Sequence, residues 1–157
     1  MTKTSILITG CSSGIGRYCA EQLHQAGYQV IASCRKLEDV SELKALGLHC
    51  IQLDVTDTHS VHTALEQTMQ ITGGKLDVLF NNAGYGQGGA IEDLPIDALR
   101  AQFETNLFGL HELTRALIPL MLKQGHGKIV QDSSVLGLVA MKYRGAYVAS
   151  KFALEGY

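Results

Sequence analysis

The sequence predicts an α/β fold, a parallel β-sheet covered by helices on both faces. Three observations carry this. Five short apolar or β-branched runs, at 5–9, 29–34, 48–53, 77–81 and 128–132, alternate with segments of helical period. The runs are nearly continuous in apolar character, as strands buried on both faces are. The first run passes without a linker into a glycine-rich turn that opens a helical stretch, the start of a βαβ unit.

Each intervening segment has its own signal. Ile15, Cys19 and Leu23 recur every fourth residue and stop before Gly27. Val40, Leu43 and Leu46 form a short second stripe. Val61, Ala64, Leu65, Met69 and Thr72 form a third, ended by Gly73-Gly74. From Leu99 to Leu122 apolar residues fall nearly all round, which predicts helices buried on more than one side, kinked or ended at Pro119. The order is therefore β-α-β-α-β-α-β-α-α-β-α. Neither a repeat nor a Pro/Gly/Ser linker divides the chain, so residues 1–157 are expected to be one domain.

With 157 residues, one core is affordable and two are not; by size scaling the folded monomer should expose about 7,700 Å². The 46% apolar content excludes disorder, and a net charge of -2 gives no basic footprint for nucleic acid. Neither a signal-peptide core nor an apolar run long enough to span a membrane is present, so a cytoplasmic protein is expected. The cysteines, Cys11, Cys19, Cys34 and Cys50, have neither metal nor disulfide spacing and are expected to be reduced and mostly buried. His59 and His62 share a helix face but lack a third ligand at a supporting spacing, so no metal site is expected.

Composition leaves one anomaly: 17 residues are glycine, about 11% against an average near 7%. The first cluster lies in Thr9-Gly10-Cys11-Ser12-Ser13-Gly14-Ile15-Gly16. A strand–turn–helix of this kind exposes backbone N–H groups and a helix N-terminus, which together suit a pyrophosphate. The spacing is G-x-x-x-G-x-G rather than G-x-G-x-x-G, so alone it also fits a tight turn. About 20 residues on, where an acid would select the ribose hydroxyl of NAD, stand Cys34, Arg35 and Lys36. Arg35 with Lys36 suits the 2′-phosphate of NADP.

Near the other end, Tyr147 and Lys151 are four apart and would share a helix face. Tyrosine, with an ordinary pKa near 10, is a poor base at neutral pH. Lowering it by three units takes about 4 kcal/mol, which a neighbouring cation can supply. The pair is a workable acid/base device, although Y-x-x-x-K alone is a common accident.

Taken together, the glycine turn, Asn81-Asn82-Ala83-Gly84, Asn106, Ser133-Ser134 and Tyr147 to Lys151 make the chain resemble a short-chain dehydrogenase/reductase of the Rossmann type. Leu53-Asp54-Val55 matches the family's adenine-side contact. The resemblance implies a doubly wound parallel sheet and an NADP(H)-dependent oxidoreductase acting on a carbonyl or alcohol. Gly10, Ser12, Ser13, Gly14, Ile15, Gly16, Arg35, Lys36, Asp54, Val55, Asn82, Ala83, Gly84, Tyr147 and Lys151 would hold the cofactor. Tyr147 would be the general acid or base, and Lys151 would tune it and hold the nicotinamide ribose. Ser134 would orient the substrate oxygen, with Ser133 the adjacent candidate. Asn106 would anchor a water relaying protons to Lys151, or simply cap a helix. Asn81 would be structural.

The apolar set Tyr85, Leu138, Val139, Met141 and Tyr143 at the expected pocket mouth suggests a lipophilic ketone, aldehyde or alcohol. The family pattern continues beyond the equivalent of Tyr157 through two further strands and a substrate-covering segment. The chain is therefore expected to be C-terminally incomplete, with the strand at 128–132 as an exposed edge. The full-length form would be a homodimer or homotetramer. The competing expectation is a non-catalytic nucleotide-binding or regulatory module that keeps the fold without turnover.

Overall fold

The computed structural model describes residues 3–157. Its elements run β1 (Ser5–Ile8), α1 (Gly14–Gln25), β2 (Gln29–Cys34), α2 (Leu37–Ala45), β3 (His49–Gln52), α3 (Thr58–Thr72), β4 (Val78–Asn81), α4 (Ile96–Phe103), α5 (Leu110–Gln124), β5 (Lys128–Gln131) and α6 (Gly145–Gly156). A π-helical turn, Glu104–Gly109, joins α4 to α5, and a 3-10 turn, Val135–Gly137, follows β5. The alternation read from the sequence is present, with four of the five strands a residue or two shorter than their apolar runs.

The strands form one parallel sheet in the order β3-β2-β1-β4-β5. The chain moves outward from β1 to β3, then returns to the far side of β1. This reversal opens a crevice at the carboxyl ends of β1 and β4, where ligands bind in open α/β sheets. Two cores fill the faces. Leu7, Ile31, Ile51 and Leu79 pack with Val61 and Ala64 of α3 and Leu113, Leu117 and Met121 of α5. Ile6, Ile8, Val30, Ala32, Cys34 and Cys50 pack with Ala20 of α1 and with Val40 and Leu43 of α2.

Two expectations need correction. Pro119 lies inside α5, which continues to Gln124, so the proline does not end the helix. Nor is α5 buried on more than one side: its buried residues Leu110, Leu113, Thr114, Leu117 and Met121 follow one face, and Ile118 and Leu122 are exposed. Among the described residues β5 pairs only with β4, and its Ile129 and Val130 are 37% and 44% exposed. The molecule exposes 8864 Å², more than the roughly 7,700 Å² that scaling gives for a monomer of this size. The uncovered β5 edge and the outer side of α5 contribute to that excess.

The thiols behave as expected. All four cysteines are free, and Cys11, Cys34 and Cys50 are buried. Burial pushes the Cys11 thiol up to about 12.

Candidate active site

The crevice at the sheet reversal is an open cleft of about 660 Å³. Gly10, Ser12, Ser13, Gly14, Ile15, Arg35, Asp54, Val55, Asn82, Ala83 and Gly84 line it, with Leu53, Tyr85, Thr105 and Asp132. Most of the cofactor-binding residues expected from the sequence thus come together around one cleft. Ile15 belongs to the apolar stripe of α1 yet is 58% exposed, because it faces this cleft rather than the core.

The first turn shows why glycine is required. Gly10 adopts φ +70°, and a Cβ there would stand 2.8 Å from the Ala83 backbone. Gly16 is not part of the lining. It is buried, and a Cβ there would meet the Asn82 side chain and, at 2.5 Å, the Gly10 carbonyl. Its role is the close approach of α1 to the turn. Ser13 precedes the helix and its side chain makes no capping bond, which leaves the N-terminal N–H groups of α1 available to an anion.

Thr9, which sequence reasoning did not single out, organises the opposite wall. Its buried Oγ1 accepts from the N–H of Asn82 at 3.0 Å and of Ala83 at 2.8 Å. Asn82 Nδ2 returns bonds to the carbonyls of Thr9 and Gly10 at 2.8 and 3.0 Å. The two turns that flank the cleft are thereby locked to each other. Asn81 points away and donates to Thr114 of α5, a structural role as expected.

At the end of β2, Arg35 lines the cleft and makes no ion pair among the described residues. Arg17, on the first turns of α1, is held by Glu21 and Glu42 at 2.9 and 2.7 Å. Lys36 is exposed at the start of α2, outside the lining. On the third wall Asp54 Oδ1 accepts from the N–H and hydroxyl of Thr56, which fixes the turn after β3.

Tyr147 and Lys151 both lie on α6, with the Lys151 Nζ 5.7 Å from the centroid of the Tyr147 ring. Lys151 is buried, and its ammonium donates to the Asp132 carbonyl at 2.6 Å, beside the cleft. Burial holds its pKa below the ordinary lysine value, partly offset by the charges of Asp132 and Glu155.

Ser134 opens the 3-10 turn, and its Oγ accepts from the Leu136 N–H at 3.1 Å, leaving its own proton to donate elsewhere. The Oγ of Ser133 is buried without a partner, and Gly137 packs close to it. Asn106 caps no helix. It sits fully buried in the π-helical turn, where Oδ1 accepts from the Tyr85 N–H at 3.1 Å. Its Nδ2 donates to the Tyr85 carbonyl and to Ser150 Oγ, both at 3.0 Å. Both amide N–H groups of Asn106 are therefore engaged within the protein.

These residues fit a dinucleotide. The cleft offers free helix N–H groups and a glycine turn at its centre, an unpaired guanidinium at one end, and the surroundings of Tyr147 and Lys151 at the other. Among the described residues no group of three or more His, Cys, Asp or Glu side chains is placed to hold a metal, and no helix is long and apolar enough to cross a membrane.

The comparisons with known proteins agree with this geometry. The chain is 43% identical over 153 residues to the uncharacterized oxidoreductase YbbO of Escherichia coli K12, covering 98% of this chain and 57% of that protein. It is 42% identical over 153 residues to 3-ketodihydrosphingosine reductase of Bacteroides thetaiotaomicron, covering 97% of this chain and 55% of that one. The chain thus spans little more than half the length of these relatives. A short-chain dehydrogenase from Streptomyces avermitilis superposes with a TM-score of 0.93 at 39% identity, over 99% of this chain and 58% of its own. Similar folds are also solved as a serine dehydrogenase with NADP+ and as a Burkholderia phymatum enzyme with NAD. The family model described as short chain dehydrogenase matches residues 4–157, and the protein belongs to that family.

Proposed function

We propose that the protein transfers a hydride between NADP(H) and a lipophilic carbonyl or alcohol substrate. The observation that carries the NADP preference is Arg35. It is a cleft-lining cation without an acidic partner, and the residue before it is a buried cysteine rather than a carboxylate. A guanidinium there suits a 2′-phosphate, whereas the ribose diol of NAD calls for an acid. The lipophilic substrate is supported by Leu138, Val139, Met141 and Tyr143, all more than half exposed on the segment that leads into α6. It is supported too by the similarity to the 3-ketodihydrosphingosine reductase among the relatives.

When bound, the cofactor supplies or accepts the hydride; the protein supplies position, a proton and electrostatics. The α1 N-terminus and the Gly10–Gly14 turn hold the diphosphate, while Asp54 and Val55 flank the adenine side. Tyr147 gives its proton to the substrate oxygen in reduction and takes it back in oxidation. Ser134 donates to the same oxygen and orients it. Lys151 favours the deprotonated form of Tyr147 electrostatically and is itself oriented by the Asp132 carbonyl. Because the side-chain donors of Asn106 are engaged, a proton-relaying water would be held by main-chain groups of the π-helical turn. Such turns interrupt the regular i to i+4 pattern and are frequent at functional sites.

The test is NADPH oxidation by the purified protein with medium-chain aldehydes and ketones, beside Tyr147→Phe. An enzyme loses turnover in the variant and keeps NADPH binding. Equal behaviour of the two proteins would instead identify a binding module without turnover.

A further inference from the structure

The connection between β4 and α4 runs for fourteen residues, 82–95, without a strand or helix. Connections of this length inside a compact domain are usually functional or disordered. This one is neither loose nor exposed throughout, since its first half is held by a side chain outside the cleft. Gln102 of α4 is fully buried, at 0% exposure. Its Oε1 accepts from the Gln87 N–H at 2.7 Å, and its Nε2 donates to the Tyr85 carbonyl at 2.8 Å. Asn106 lies one turn further along and holds the N–H and carbonyl of the same Tyr85. Two buried amides on one helical face therefore grip the backbone on both sides of Gly86.

Gly86 is where this grip meets the chemistry. A Cβ at position 86 would lie 3.6 Å from Cδ2 and Cγ of the Tyr147 ring and 3.7 Å from Nη1 of Arg144. From the other side Arg144 Nη1 reaches the Gly86 carbonyl at 3.4 Å, and the Gly89 N–H donates to the Tyr143 carbonyl at 3.0 Å. The loop is stitched between α4 and the start of α6, with its side-chain-free residue against the ring of Tyr147. A fully buried amide that loses either bond leaves a polar group unsatisfied, so this arrangement resists displacement.

We infer that Gln102 is a positioning residue that holds Gly86 against the Tyr147 ring, and that the bare position 86 sets how bulky a carbonyl substrate can approach Tyr147. The inference rests on the proposed reaction for its catalytic consequence and on the hydrogen bonds alone for its structural one. Gly86 does not have the positive φ that would strain another residue, and a Cβ there makes ordinary contacts. Alanine at 86 is therefore compatible with the fold and narrows the space directly.

Two measurements on the purified protein test this, and they fail separately. Amide hydrogen exchange followed by NMR reads the grip without reference to activity. Gln102→Met, which keeps the volume and removes both bonds, should speed exchange at Gln87 by about tenfold or more. Unchanged protection of that amide overturns the inference whether or not the protein turns over any carbonyl. The second measurement is the ratio of kcat/KM for cyclohexanecarboxaldehyde to that for hexanal, with NADPH affinity followed by fluorescence. Gly86→Ala should lower the ratio by about fivefold or more, within the range that one methyl-sized change in a pocket produces. Gln102→Met should shift the same ratio while NADPH affinity stays within about twofold. Equal losses on both aldehydes would mark a general packing defect and overturn the inference. Should Gln102→Met not fold, Gly86→Ala decides the size-selection claim, and an unchanged ratio overturns it. If neither aldehyde is turned over by the parent protein, the proposed reaction fails while the exchange experiment still decides the grip.

Discussion

The buried ammonium of Lys151 donates to the main-chain carbonyl of Asp132 at 2.6 Å, a bond from α6 to the residue just past β5. It ties α6 to the carboxyl end of the sheet, where the cleft opens. Asp132 is itself anchored, because its N–H donates to the Asn81 carbonyl at 2.9 Å. The position of the cation beside Tyr147 is thus set by the sheet rather than by α6 alone.

Replacing that cation should separate charge from packing. Lys151→Met keeps an unbranched side chain of similar length and removes both the charge and the bond to Asp132. Turnover should fall by about 10²–10⁴, the usual contribution of an acid/base device. Steady-state kinetics across pH check this, and the loss should shrink as pH rises. A loss independent of pH would argue against an electrostatic role for Lys151.

Arg35→Ala tests the cofactor preference. A charge-assisted hydrogen bond to phosphate is worth about 1.5–3 kcal/mol, so NADPH binding should weaken by about 10–150-fold. NADH binding should change little, since NADH carries no phosphate at that position. Fluorescence titration of both cofactors measures this. Binding of NADH tighter than NADPH by tenfold in the parent protein would remove the argument from Arg35.

Thr9→Val asks how much the lock between the two turns contributes. Valine matches threonine in shape but cannot accept, so the N–H groups of Asn82 and Ala83 lose their acceptor. Each unsatisfied group costs about 1–3 kcal/mol when buried. Because these sites are only partly buried, a total near 2 kcal/mol is expected in urea denaturation. Thr9→Ser keeps the acceptor and should recover most of that loss.

The alternation of strands and helices was legible because short apolar runs and helical stripes have different periods. The cleft was legible where a residue type answers a specific backbone demand, as at Gly10. Three things were not. Thr9 acts through an isolated hydroxyl at a strand end, which in sequence resembles any β-branched strand residue. Gln102 sits in an ordinary helical stretch, and only the fold shows that its amide meets the backbone of a loop fifteen residues earlier. The sequence left open whether Pro119 kinks or ends its helix; α5 does not end there but runs on past it, with Leu117 and Met121 packed into the core.

The last prediction concerns the opposite end of the sheet from the cleft, where Asp77 joins three segments. Its Oδ2 accepts from the N–H and hydroxyl of Ser5 at 2.7 and 2.9 Å, and its Oδ1 meets His126 Nε2 at 2.7 Å. These contacts, the Ser5 backbone bond foremost, hold the Asp77 carboxyl below the ordinary carboxylate range. A carboxyl with a lowered folded-state pKa adds stability that is fully present above its unfolded value, near about 3.9, and is lost as pH falls through the folded value. Asp77→Asn should therefore destabilise the protein at pH 7, and the gap to the parent should narrow below about pH 4. Urea midpoints at pH 7, 5 and 3.5 read this directly. Because Asp77 is remote from Tyr147, KM for substrate and cofactor should stay unchanged in the folded variant at pH 7. A gap that stays constant across the three pH values would show that Asp77 stabilises the sheet through shape rather than through its charge.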